Sequence, residues 1–468
     1  MNTLRRWRFD LILLFLAAFG TRLWHLFQPA AVVFDEVYFK VYAGDYLTHS
    51  YYFDPHPPLG KLILGIWAWL FHLDPANLTS TDQASVALRL LPALAGALIV
   101  PVFYVFLRQL KASRRTALLG AGLLLLENAL IVESRFVLID SLLVLFGLSA
   151  ITVYLYARRF PAGWLRTLLI GAAAFLAGLS ASIKWTGLTA LALMGFMWAV
   201  DQWRFGRRRR WRWALAEALS LIFVPALVYL GVFFAHFQLL THTGQGDAFM
   251  STKFQATLQG SAYYDPQARL SFIDKFVELN QEMVRSEDSL KNATHPYGSR
   301  WFSWPMEIRD VYYWQGQTDS TGRQGNIYLL GNPVVWWSIL LIVPLVLVVL
   351  SGNYHAAFHH YRFPLAILSI GYVINFLPFS RIVRVMFLYH YFFALIYSLA
   401  LAMLLLQIVF EQYGRLHGRQ RANRAQLRFY TVLGLATLAG FLYFAPLTYG
   451  SPLSTDQLQA RMWLKTWR

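Results

Sequence analysis

Long apolar runs, separated by short basic or mixed polar stretches, recur along this chain of 468 residues. A membrane span needs about 20 apolar residues. By that measure eleven runs predict spans, at 9–28, 84–110, 116–132, 136–157, 164–183, 187–200, 213–236, 334–350, 363–379, 382–410 and 429–445. The run at 187–200 is short for a span and the one at 382–410 is long. Residues 11–26 read as a retained first span, because no short apolar core with a cleavage site stands there. A further run, 59–73, holds only fifteen residues. At about 1.5 Å per residue it reaches roughly 22 Å, less than the roughly 30 Å hydrocarbon core, so it predicts a helix lying in or re-entering the interface. Val37, Tyr38, Val41, Tyr42 and Tyr46 share one helical face and predict a second interfacial helix before it. The chain then divides into 1–28, an outer loop 29–83, spans over 84–236, a large loop 237–333, spans over 334–446 and a tail 447–468. The fold class predicted is an all-α polytopic membrane protein.

Composition agrees with the pattern. Hydrophobic residues make up 57% and charged ones 14%, against roughly 25% charged in soluble domains. Mean hydropathy is +0.43. Cysteine is absent, which excludes disulfides, a cysteine nucleophile and thiolate metal sites.

The net charge of +17 has to be distributed over loops. With the N-terminus inside and 59–73 not crossing, the inner side carries 22 basic and 4 acidic residues, or +18. The rest carries 19 basic and 20 acidic residues, or −1. The whole excess falls on one side, as the positive-inside rule expects. The run Arg207–Arg210 is then a topology anchor, and no nucleic-acid partner is expected. The loops 29–83 and 237–333 and the C-terminal tail face outward. In the large loop Phe272, Ile273, Phe276, Val277, Asn280, Met283 and Val284 form an amphipathic stripe, predicting a helix partly on the membrane.

The candidate chemistry gathers at the outer face. Asp35 and Glu36 follow the first span, and one of two neighbouring carboxylates can act as general base for a hydroxyl. The run Asp54-Pro55-His56-Pro57-Pro58-Leu59-Gly60-Lys61 puts Asp54, His56 and Lys61 beside a rigid proline pair. It also reads as a helix start with a snorkelling lysine. Arg89, Arg135, Asp140, Lys184, Arg381, Arg384, His390 and Tyr391 all map to the outer half of the membrane. Basic groups there suit a lipid-linked phosphate; Arg135 with Asp140 also reads as a plain ion pair. His355, His359 and His360 have spacing that permits a metal, but their short loop offers no carboxylate, and no metal site is expected. Asn77-Leu78-Thr79 and Asn292-Ala293-Thr294 are outward-facing glycosylation sequons.

These residues together resemble the protein O-mannosyltransferase family. The resemblance rests on Asp35-Glu36, His56 to Lys61, Arg89 with Pro92, Ser134-Arg135 with Asp140, and Lys184-Trp185-Thr186-Gly187. It continues through His295-Pro296-Tyr297-Gly298-Ser299-Arg300-Trp301 with Trp304-Pro305, then Tyr328 to Pro333 with Trp336-Trp337, Leu388 to Tyr391, and Pro446 to Gly450. It implies a GT-C fold of eleven spans and a polyprenyl-phosphate-mannose donor. It also implies inverting transfer to Ser or Thr of exported proteins, with Asp35 catalytic. Eukaryotic members carry a β-trefoil in the large loop, which is too short for one here, so the chain looks like a bacterial member.

The chemistry fits independently. A lipid phosphate leaves readily once its charge is neutralised, so one base suffices, unlike the carboxyl pair of glycoside hydrolysis. Asp35 would be that base. Glu36 is expected to be catalytic with it, and Glu36, Asp54, His56, Lys61 and Asp140 would orient it or bind sugar and acceptor; the resemblance adds Arg300 and Trp301 to that group. Lys184, Arg135, Arg384, Arg89, His390 and Tyr391 would hold the donor. No cofactor is expected, and oligomeric state stays open. The alternatives are a polyprenyl-phosphate sugar transferase acting on a lipid or cell-wall glycan and, more remotely, a secondary transporter, although no repeat is visible. An oligosaccharyltransferase would be expected to carry a Trp-Trp-Asp motif, which is absent.

Overall fold

The computed structural model describes residues 3–78, 83–205, 211–289, 291, 293–351 and 355–467. Most of them are helical. The helices are α1 Thr3–Leu23, α2 Glu36–Thr48, α3 Leu59–Leu70, α4 Gln83–Gln109, α5 Arg114–Leu125, α6 Asn128–Arg135, α7 Asp140–Ala157, α8 Trp164–Ala181, α9 Leu188–Phe205 and α10 Trp211–Leu239. After α11 Thr252–Gln255 and α12 Phe272–Ser289 come strands β1 Val311–Thr318 and β2 Gln324–Leu329. The chain continues through α13 Pro333–Ser351, α14 His355–Phe376, α15 Phe392–His417, α16 Arg419–Tyr449, β3 Pro452–Leu453 and α17 Thr455–Gln459.

Helices stand at all eleven expected spans, with α5 and α6 sharing the third. Among the described residues seven helices are long and apolar enough to cross a membrane, eight if the α5–α6 pair is one bent span. That pair bends by 56°. Glu127, at the break, explains the bend. It is fully buried, caps α6 by accepting from the Leu130 N–H at 2.7 Å, and also accepts from the Asn332 N–H and Trp336 Nε1, both at 2.9 Å. The break is therefore stitched to the start of α13 rather than left with open backbone valences, as a membrane interior requires. The tenth expected span starts later than the apolar run does: Leu377–Arg381 and Leu388–Tyr391 form short 3-10 turns with irregular chain between them, and α15 begins at Phe392. α15 is almost wholly enclosed, packing on α13, α14 and α16.

The helix α3 has twelve residues, about 18 Å at 1.5 Å per residue, too short to cross. It packs on α2, and Gly65 makes that possible: a Cβ there would lie 2.7 Å from Tyr46 Cβ. The expected face of α2 is rotated. Phe39, Ala43 and Tyr46 are buried with Glu36 and Lys40, while Val37 and Tyr38 are exposed. The cause is polar: Glu36 is tied to Arg89, and Lys40 Nζ donates to Ser85 Oγ at 2.7 Å, turning their face inward.

The large loop departs from the all-α expectation, because it carries two strands of a small sheet. β1 and β2 pair antiparallel, with Val311 opposite Leu329, and β3 of the tail adds to β2. The tail is held down by Trp467, which is buried and donates from Nε1 to the Glu307 carbonyl at 2.6 Å. The amphipathic helix α12 is present, but half of its stripe docks on protein. Phe272 and Phe276 meet Phe233, Phe234 and Phe237 of α10, and Met283 is buried, while Ile273, Val277 and Val284 are exposed. Arg207–Arg210, Thr79 and Asn292 lie outside the described residues.

Candidate active site

Asp35 stands at the junction of α1 and α2. Its carbonyl accepts from the Tyr38 and Phe39 N–H groups at the start of α2, but its carboxylate makes no capping bond. Burial raises its pKa to about 6; Lys184 pulls it down, and Asp140 and Asp54 push it up. A half-buried carboxyl titrating there can accept a proton near neutral pH.

Glu36, its neighbour, points into protein. It is fully buried and receives Arg89 Nε at 2.7 Å, Arg89 Nη2 at 2.8 Å, and the N–H groups of Val33 and Val137. Arg89 also donates to the carbonyls of Leu26, Pro29 and Ala31. Every valence of this pair is used internally, so the expected catalytic role for Glu36 and donor role for Arg89 are not what their placement offers. They brace the loop that carries Asp35.

The second motif closes on itself. Lys61 Nζ is buried and donates to Asp54 Oδ1 and the carbonyls of His56 and Pro57, at 2.8–2.9 Å. Burial would raise Asp54, but Lys61 and His56 outweigh it and hold the carboxyl below the usual range. Lys61 thus shapes the turn that presents His56. The Leu59 N–H donates to the Ser182 carbonyl, which ties this turn to the end of α8.

Lys184 sits just after α8. The chain returns into α9 through a single 3-10 turn, Trp185–Gly187. A Cβ on Gly187 would lie 2.4 Å from the Ser180 carbonyl carbon, so this return needs glycine. Lys184 Nζ donates to both oxygens of Asp140 at 2.7 and 2.8 Å and lies 5.4 Å from the centre of the Tyr389 ring. Lys184, not Arg135, is therefore the partner of Asp140.

A cavity of about 520 Å³ opens here, lined by His56, Asp140, Lys184, Glu287, Arg384 and His390 among polar groups. Its apolar wall comes from α7, α14 and α15, with Leu143, Val144, Ile374, Phe392 and Phe393. Arg384 Nε meets Glu287 Oε2 at 2.5 Å, and His56 Nδ1 is 4.0 Å from Glu287 Oε1. Burial pushes His56 down to about 3, so at neutral pH that contact is not an ion pair. The cavity combines cationic groups with an apolar channel, which suits an anionic headgroup on a hydrocarbon chain.

The structure brings Lys184, Arg384, His390, His56 and Asp140 to this cavity. Asp35 does not line it and is coupled to it through the charges of Lys184 and Asp140. Arg135 is elsewhere. It is fully buried, donates to the carbonyls of Thr448, Trp24 and His25, and stacks 4.6 Å from the centre of the Tyr449 ring. It ties α6 to the chain after α1 and to the end of α16, and it does not line the cavity. Tyr391 is buried against Trp336 and Tyr372, away from the cavity. Arg300 is exposed and Trp301 packs on Phe376; neither lines it. Glu287 was missed because its partner Arg384 is far away in sequence. His359 and His360 are exposed on α14, and among the described residues no three His, Asp or Glu converge as metal ligands.

Comparison with known proteins adds identity to geometry. Residues 12–241 match the model of the family described as dolichyl-phosphate-mannose-protein mannosyltransferase. Residues 272–467 match the C-terminal four-helix membrane region of protein O-mannosyltransferase. Protein O-mannosyltransferase 1 of Drosophila melanogaster is 32% identical over 342 residues, 70% of this chain and 37% of its own length. The mouse protein O-mannosyl-transferase 1 is 36% identical over 340 residues, 68% of this chain and 44% of its own. The chain thus spans less than half the length of these relatives. Among solved structures, the Saccharomyces cerevisiae protein O-mannosyltransferase Pmt1-Pmt2 complex bound to the sugar donor aligns with TM-score 0.88 at 19% identity, covering 100% of this chain and 93% of that one. The oligosaccharyltransferase AglB of Archaeoglobus fulgidus aligns at 0.55 with 13% identity, covering 99% of this chain and 58% of that one. These two likenesses establish the fold.

Proposed function

The chain belongs to the protein O-mannosyltransferase family, with the polytopic GT-C fold, and from that premise we propose that it moves mannose from a polyprenyl-phosphate donor to Ser or Thr hydroxyls of exported proteins. The observation that carries the reading is the pairing of an uncapped, raised-pKa carboxyl at Asp35 with the cationic, apolar-walled cavity of Lys184 and Arg384. The phosphate would rest on Lys184 and Arg384. Lys184 gives two hydrogens to Asp140 and keeps a third, and Arg384 keeps its terminal amino groups. The prenyl chain would follow the wall between α7, α14 and α15. Asp35 would take the proton of the acceptor hydroxyl as its oxygen attacks the anomeric carbon. The bond from that carbon to the phosphate oxygen breaks, the lipid phosphate leaves with the electron pair, and configuration inverts. Neutralised phosphate is the leaving group, so electrostatic stabilisation supplies most of the acceleration.

We also infer a cytoplasmic N-terminus with cavity and C-terminal tail outside, which the split of loop charge supports. The absence of native cysteine makes this testable. Ala76→Cys and Thr455→Cys should react with an impermeant thiol reagent from outside, and Gln420→Cys only after permeabilisation.

The deciding experiment supplies purified protein with labelled polyprenyl-phosphate-mannose and a membrane extract. Label that enters protein and is released by alkaline elimination from Ser or Thr supports the reading. Label in a lipid or glycan would redirect it to the other polyprenyl-phosphate transferases.

A further inference from the structure

We infer that Tyr313, on β1 of the large loop, is a positioning residue for Asp35: anchored by Glu133, it clamps the ring of Phe34 and so aims the carboxylate next to it. The inference rests on the proposed role of Asp35 as base.

Phe34 has φ +50°, in the left-handed region. Bulky residues rarely adopt it, and such a backbone persists only where its surroundings over-determine it. Here they do. The Phe34 ring stacks on Tyr313 with centroids 4.3 Å apart and planes 9° from parallel. Phe387 and Tyr389 meet it edge-on at 6.4 and 6.3 Å. Tyr313 is itself fixed at its far end. It is 4% exposed, and its hydroxyl donates to Glu133 Oε2, on α6, at 2.6 Å.

The consequence falls on Asp35. No capping bond holds its carboxylate, so its direction depends on the backbone at either side. Glu36 is fixed on one side by Arg89. Phe34 is fixed on the other by Tyr313. If Phe34 relaxed to a negative φ, the peptide entering Asp35 would turn and carry the carboxylate with it. A displacement of about 1 Å can cost roughly 100-fold in rate. Because β1 belongs to the large loop, the base is aimed only while that loop is seated on the helices.

The test measures donor binding and steady-state transfer to an acceptor peptide, with the full chain in lipid nanodiscs. Tyr313→Leu should lower kcat by roughly 100-fold while leaving donor affinity unchanged. Tyr313→Phe, which keeps the ring and loses the anchor, should fall between. Phe34→Gly accepts the left-handed backbone without fixing it, and should match Tyr313→Leu. Combining the two should lose no more than either alone, because both break one clamp. Multiplied losses in the double variant, or a loss carried by donor affinity, would overturn the clamp and leave Tyr313 as ordinary packing. Should Tyr313→Leu fail to fold, the same cycle runs with Tyr313→Phe and Phe34→Gly. Wild-type protein that moves no mannose would overturn the proposed function. Wild-type transfer with kcat unaffected in Tyr313→Leu and Phe34→Gly would overturn the clamp alone.

Discussion

Asp35 and Glu36 are adjacent in sequence and opposite in circumstance. Glu36 is buried with every oxygen engaged, two contacts from Arg89 and two from backbone N–H groups. Asp35 has no capping bond to its carboxylate, and the charges that shift it, Lys184, Asp140 and Asp54, are already paired with one another or with Lys61. The same contrast separates Arg89 and Arg135 from Lys184 and Arg384. The first two spend their hydrogens on carbonyls and Glu36, except for the Arg135 Nε, which is buried without a partner. The second two each make one ion pair at a cavity and keep donors in reserve. A charge in a membrane protein is expensive. Where it is spent on the protein's own groups, away from the cavity, it holds the fold, and where donors remain at the cavity it is available to a ligand.

The contrast is tested most severely at Asp35. Asp35→Asn should lose about 10²–10⁴-fold in transfer, the usual worth of a positioned acid or base, while folding and donor binding persist. Near-normal transfer by this variant would remove the base assignment. The wild-type pH profile sharpens the point. With Asp35 raised to about 6, kcat/KM should fall tenfold per unit below about pH 6. Its folded pKa lies above the unfolded value, so this group adds stability as pH falls from about 6 toward 3.8. Loss of rate in that window is therefore not unfolding driven by Asp35.

Arg89→Met probes the other half. It removes the nearer of the two cations beside buried Glu36 and leaves only Lys40, 4.0 Å away, which should destabilise the protein by about 3 kcal/mol, the lower end of the cost of breaking a buried pair, read as a drop in thermal midpoint in detergent. The folded fraction should bind donor normally. Donor affinity lost without any change in stability would return Arg89 to the donor site.

How much of this contrast was legible in the sequence follows from range. The spans could be read because composition and length decide them locally, and the short 59–73 run excluded a crossing by arithmetic alone. The candidate site was legible as residue types near one membrane face. Which of those residues are structural was not, because that depends on partners far along the chain. Arg135 finds the Thr448 carbonyl 313 residues away, and Arg89 finds Glu36 across 53. The sheet was within reach: Val311-Tyr312-Tyr313-Trp314 is β-prone, and Asp319 closes the following turn by accepting from Thr321 and Arg323.

Lys184→Gln comes next in size. Losing one charge-assisted phosphate contact should cost about 1.5–3 kcal/mol, or roughly 10–150-fold in donor affinity, rate or both. Lys184→Arg should recover only part, because a planar fork does not replace a compact ammonium between Asp140 and Tyr389. Wild-type donor kinetics in Lys184→Gln would shift the phosphate role to Arg384.

Glu287→Gln should have the smallest effect, and in the opposite direction. Glu287 holds Arg384 Nε at 2.5 Å, with the two side chains 24% and 20% exposed. An ion pair this open is worth at most about 1 kcal/mol. An anionic headgroup entering the cavity would compete with the Glu287 carboxylate for Arg384 and meet its repulsion. Burial raises the pKa of Glu287 while Arg384 opposes that shift, so lowering pH should neutralise Glu287 earlier than an ordinary glutamate and mimic the variant in part. The amide keeps the shape and removes the charge. Donor should therefore bind up to about fivefold more tightly to Glu287→Gln, measured by titration with the polyprenyl phosphate, with kcat little changed. Weaker binding would mean that Glu287 orients Arg384 for the phosphate.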